Sequence, residues 1–185
     1  MFREILVLSV LAVLILGYAN SQTYSQSYTT SMQQDQGRAP IVVNAYAAKV
    51  IRPGDTWMIF IQAEDPNGDM KSIAAVLWEA GVGYYPTEVN MLKAEDAKQF
   101  SGYLFMKTPT GSTLNSDEFE LTLIVRDSRM HGSQPVKLAV TFDQAAKQVI
   151  PEKWKEAANH EIASLMFDIE SSSFYNRGGN GGNFN

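Results

Sequence analysis

Apolar and polar residues alternate with a period of two along Phe119-Glu120-Leu121-Thr122-Leu123-Ile124-Val125-Arg126, where every odd position is apolar and three of the four even ones are polar. Successive side chains of a strand point to opposite faces, so this run predicts a half-buried β-strand. The next run repeats the pattern. Val136, Leu138, Val140 and Phe142 alternate with Lys137, Ala139 and Thr141, and the polar, Gly-containing residues 128–134 between the two runs predict a hairpin loop. Earlier strands are predicted at 41–50, 57–63, 72–79 and 101–107. They are separated by Pro53-Gly54-Asp55, by the acidic residues 65–69 and by a longer segment, 81–98.

Beyond Phe142 the period changes. Trp154, Ala158, Ile162, Leu165 and Ile169 follow at spacings of four, four, three and four behind Pro151, which predicts an amphipathic C-terminal helix over residues 143–170. Many short strands without intervening helices predict a mainly β fold, an antiparallel sandwich of six or seven strands.

Composition marks off the remaining segments. Arg3 followed by the apolar residues 5–16, and the small residues Gly17 and Ala19, predict a signal peptide, 1–19, cleaved after Ala19; an uncleaved N-terminal anchor is the alternative. Residues 20–38 are rich in Ser, Gln and Tyr, and 171–185 in Gly, Asn and Ser; neither carries an aliphatic cluster, so both are expected to be disordered. The sandwich is assigned to 39–142. The chain has no Cys, which excludes disulfides and a lipoprotein anchor, so the domain must rely on core burial or an ion. A net charge of -5 without basic clusters argues against nucleic acid as a partner.

The stretch 39–142 resembles the immunoglobulin-like and cadherin-like sandwich modules of bacterial exported proteins. The likeness rests on Ala63-Glu64-Asp65-Pro66-Asn67-Gly68-Asp69 after the second strand and on residues 121–127 before the last hairpin. It implies an immunoglobulin-like topology and speaks for fold more than activity. Hard cations take six to eight oxygen ligands, and Glu64, Asp65, Asn67 and Asp69 offer four oxygen-bearing side chains in one turn. In the implied topology the loop after Asp127 lies at the same end, and cadherin-like modules bind calcium with acidic residues at such an end. Calcium is therefore the candidate cofactor, with Asp127 as a fifth ligand. The alternative is a plain turn at Pro66-Asn67-Gly68, with Asp65 and Asp69 bonding nearby backbone amides. The spacing is not that of an EF-hand, since Val76 stands where the bidentate Glu would be.

Catalysis finds little support. His131 and His160 are the only histidines, and neither sits in a nucleophile motif or a metal-ligand spacing. No enzyme activity is expected. A contact surface is more visible. Trp57, Ile59 and Ile61 face the core, leaving Met58 and Phe60 outward, while Tyr103 and Phe105 oppose Leu104 and Met106 in the same way. The stripe of Trp154, Ile162, Leu165 and Ile169 is expected to cover that patch, within one chain or between chains. The reading is an exported, non-catalytic binding or adhesion module of the cell surface or periplasm, with a protein or a polysaccharide as partner. Trp78, Tyr84 and Tyr85 are the residues that could stack on a sugar. The alternative is a structural subunit of an extracellular assembly, its partner being a second copy. Membrane contact is expected only through the signal segment before cleavage.

Overall fold

The computed structural model describes residues 37–110 and 118–169. The expected signal segment 1–19, nearly all of the leader 20–38 and the tail 171–185 lie outside the described residues. In chain order the strands are β1 (Ile41–Ala47), β2 (Val50–Ile51), β3 (Thr56–Glu64), β4 (Met70–Glu79) and β5 (Gly83–Tyr84). They continue as β6 (Glu88–Met91), β7 (Gln99–Lys107), β8 (Glu118–Asp127), β9 (Val136–Phe142) and β10 (Glu161–Leu165). One sheet runs β1-β3-β7-β10 and the other β2-β9-β8-β4-β5, with β6 also paired to β4. Pairing is antiparallel except where β2 meets β9 and β10 meets β7.

The two sheets close on the inward rows that the alternation marked. Trp57, Ile59 and Ile61 of β3 and Leu104 and Met106 of β7 meet Ile73 and Leu77 of β4 and Phe119, Leu121, Leu123 and Val125 of β8 in one continuous core. Burying each such side chain contributes about 1.5–3 kcal/mol. Neighbouring β3 and β7 register as expected, with Met58 opposite Phe105 and Phe60 opposite Tyr103.

The residues after Phe142 correct the expected C-terminal helix. They make two single 3-10 turns, Glu152–Trp154 and Ala157–Asn159, and then strand β10. The stripe accordingly divides between two places. Trp154 stacks on Phe60 with ring centroids 5.6 Å apart, and with Ala157 it buries the outer face that Met58 and Tyr103 border. Leu165 and Ile169 turn the other way into the main core, with Ile162 packed against it. The patch is thus covered within the chain, by turns rather than by a helix, while Phe105 stays half-buried beside Tyr103.

In immunoglobulin constant-type sheets a fourth strand from the middle of the chain lies beside the one equivalent to β7. Here the intervening chain pairs as β5 and β6 with β4 in the opposite sheet, leaving that edge to β10. The approach is close. A Cβ on Gly102 would lie 2.6 Å from the His160 carbonyl oxygen, which accepts a 2.9 Å hydrogen bond from the Tyr103 N–H. Only glycine fits there.

Candidate metal centre at one end of the sandwich

The inward alternation of β3 does not stop at its last apolar residue. After Trp57, Ile59, Ile61 and Ala63 the next inward position is Asp65, and after Phe119, Leu121, Leu123 and Val125 of β8 it is Asp127. Both carboxylates are therefore delivered to the end of the core, 2% and 0% exposed. Asp69 arrives from the start of β4, where Met70 pairs with Asp127. Its Oδ2 accepts from the Ser128 hydroxyl at 2.5 Å, and its backbone carbonyl from the Ser128 N–H at 2.9 Å.

The three carboxylates differ in what satisfies them. Asp127 is fully engaged: Oδ1 accepts from the N–H groups of Arg129 (2.9 Å) and His131 (2.8 Å), and Oδ2 lies 2.7 Å from His131 Nδ1. Asp65 Oδ1 accepts from the Asn67 N–H at 2.7 Å, closing the turn. Asp65 Oδ2 and Asp69 Oδ1 are buried with no hydrogen-bond partner. Buried polar atoms are rarely left so, and an unpaired one costs about 1–3 kcal/mol. Of the other expected ligands, Asn67 is exposed, its side-chain amide donating to the Arg38 carbonyl at 3.3 Å. Glu64 is exposed on the opposite face of β3 from Asp65. The turn and the ion reading thus coexist in one loop, since Asp65 spends one oxygen on the turn and keeps the other unpaired.

Electrostatics separates the carboxylates further. Burial pushes the Asp65 carboxyl above its ordinary value of 3.8, and Asp69 and Asp127 push the same way against the Asn67 hydrogen bond. Burial would also raise Asp127, but the hydrogen bonds from His131 and Arg129 outweigh it and hold Asp127 below the usual range. A raised carboxyl binds its proton more tightly folded than unfolded, so its cost to stability is fully present above the folded value and is relieved as pH falls towards 3.8. In chelator, the difference in melting temperature between wild type and Asp65→Asn should therefore shrink on acidification from pH 7 through the raised value. A difference that stays constant would show that Asp65 is not under this strain.

A second cluster lies on the same end and was not visible in the sequence. The 3-10 turn Ala94–Asp96 buries Asp96, 4% exposed, and His160 Nε2 lies 3.4 Å from Asp96 Oδ1. Burial raises the Asp96 carboxyl, with the His160 imidazole pulling it back. Glu95, Asp96 and His160 each offer a ligand atom, all within 4.8 Å of one another. Asp96 and His160 border an open cleft of about 350 Å³ that Gln62, Glu64, Gln99 and Ser101 also line. Residues 95 and 160 are far apart in sequence and join only because β10 lies on β7, a pairing the helical period concealed.

The other residues considered for chemistry or recognition separate. His131 Nδ1 faces Asp127 as in a hydrolase dyad, but the neighbouring Ser128 hydroxyl donates to Asp69. Tyr84 stands exposed opposite half-buried Trp78 across the β4–β5 pair, whereas Tyr85 is buried with its hydroxyl on Glu79.

Two sheets in this order define an immunoglobulin-like β-sandwich module with an added C-terminal strand. The sequence matches no family model and no curated protein. Solved structures similar to it include a PKD domain of a peptidase from a Thermoplasmatales archaeon, at TM-score 0.41 and 19% identity over 57% of this chain and 97% of that one. The sporulation control protein Spo0M of Bacillus subtilis follows at TM-score 0.38 and 8% identity, over 57% and 50%. A CARDB domain from Pyrococcus furiosus, in complex with di-metal ions, is similar at TM-score 0.37 and 11% identity, over 58% and 90%. Among the described residues no helix is long and apolar enough to cross a membrane.

Proposed function

We propose that the chain is an exported, non-catalytic binding module of the cell surface or periplasm, whose acidic end is held together by calcium. The observation that carries the calcium part is the pair of buried, unpartnered oxygens, Asp65 Oδ2 and Asp69 Oδ1, set at the end of the core beside the charge of Asp127. A hard cation satisfies both oxygens and neutralises the mutual repulsion at once. Asp65 and Asp69 supply the ligands, and Asp127 supplies charge and braces the facing loop. The binding part is supported by the exposed Tyr84 beside Trp78, a surface suited to a sugar ring or a protein side chain. Assembly through the Phe60 face is disfavoured, because Trp154 of the same chain already occupies it.

A thermal melt of the full chain in excess calcium and then in chelator tests the ion. Calcium at about 100 times its Kd should stabilise by about 2.7 kcal/mol. Asp65→Asn and Asp69→Asn should abolish the response while raising stability in chelator, because each removes a charge from the cluster. Superimposable melts of the wild-type chain with and without calcium would leave residues 65–69 as an ordinary turn.

A further inference from the structure

We propose that Glu95, Asp96 and His160 form a binding site for a borderline divalent metal ion of the zinc type, joining the 94–96 turn to the chain that leads into β10. The proposal is independent of the calcium reading.

His160 is presented as a ligand rather than as a surface base. Its Nδ1 lies 3.2 Å from the Ser101 carbonyl oxygen, an acceptor only, so Nδ1 carries the proton. In the neutral imidazole the Nε2 lone pair is then the free one, and Nε2 is the nitrogen that points at Asp96. Fixing one ring nitrogen on a backbone carbonyl so that the other can bind metal is how metal-ligating histidines are oriented. The backbone of His160 is held as well, its carbonyl receiving the Tyr103 N–H over the surface that Gly102 leaves open.

Asp96 is the second, independent sign. It is a carboxylate only 4% exposed that borders the cleft, and its Oδ1 faces the His160 Nε2 at 3.4 Å. A carboxylate in that position calls for a cation. Glu95 adds an exposed third ligand whose Lys93 contact, 3.9 Å, is loose enough to exchange. One imidazole nitrogen and two carboxylates suit zinc and its neighbours better than calcium, which takes oxygen ligands in larger number. The open cleft leaves the remaining coordination position to solvent or to a ligand, as in zinc sites with three protein donors.

The test is isothermal titration of the metal-free full chain with zinc chloride in the presence of excess calcium. One equivalent should bind, weakened at least ten-fold by Asp96→Asn and by His160→Gln and unaffected by Asp65→Asn or His131→Gln. Glu95→Gln alters an exposed side chain that no fold contact needs, and should weaken binding too. As a readout that needs no variant, the imidazole NMR signals of the wild-type chain should show the Nε2 of one histidine shifting on zinc addition while its Nδ1 stays protonated. No saturable binding, binding abolished by excess calcium, or binding indifferent to His160→Gln and Glu95→Gln would overturn the assignment.

Discussion

Replacing Trp154 with alanine is expected to destabilise the domain by about 3–5 kcal/mol, the range for removing a buried Trp or Phe side chain. In a domain of this size that is a fall of roughly 10–20 °C in melting temperature. The indole is 2% exposed and stacks on Phe60, so its removal opens a cavity and uncovers the outer face of β3 and β7 together. Trp154→Phe separates packing from polarity. It keeps a ring over Phe60 and removes an indole N–H that is buried without a partner, so it should retain most of the stability. If Trp154→Ala melts within a few degrees of wild type, the C-terminal segment does not cover this face in solution. If the variant self-associates, the uncovered patch has found a second copy in place of its own chain.

Asp127→Ala has the second-largest expected effect, about 2–4 kcal/mol at neutral pH, because it takes the acceptor from two backbone N–H groups and from His131 at once. The cost should depend on pH in a fixed direction. The folded value of Asp127 lies below the ordinary 3.8, so its contribution is complete above that and is lost as pH falls through the lower folded value. Chemical denaturation at a series of acidic pH values should therefore bring wild type and variant together. This trend is opposite in sign to that of Asp65, whose strain is relieved by acid. Curves that stay parallel down to pH 3 would mean that the Asp127 carboxylate is not what holds the 127–131 loop.

The sandwich was readable from sequence because its strands obey one rule strictly. From Phe119 to Val125 every inward position is apolar, with Ile124 the one apolar residue facing outward, and the same alternation, extended by one step, already aims Asp127 and Asp65 inward. What could not be read is where tertiary context decides. Residues 161–165 fit a helical stripe by spacing, yet the open edge of β7 offers backbone partners that outweigh local preference, and the segment becomes a strand. Strand β6 gave no signal for a different reason: Val89 and Met91 face solvent while Glu88 and Asn90 are partly covered, the reverse of the usual pattern. The carboxylates 65 and 69 share one legible acidic turn, and the topology implied by the resemblance brings 127 to the same end. The Glu95, Asp96 and His160 group depended on the unseen strand, so nothing in its local spacing could have announced it.

The strand that finishes the four-stranded sheet is the last of the ten to be made. Tyr103 and its partner Glu161 are 58 residues apart in the chain, and β10 runs parallel to β7, so no hairpin can nucleate their pairing. Loop closure over such a separation must precede the contacts that reward it. Until those residues leave the ribosome, β7 keeps a bare edge and Phe60 an uncovered ring. Completion of the fold is thereby tied to the synthesis of residues 161–165, and a copy that stops short of them cannot close into the finished domain.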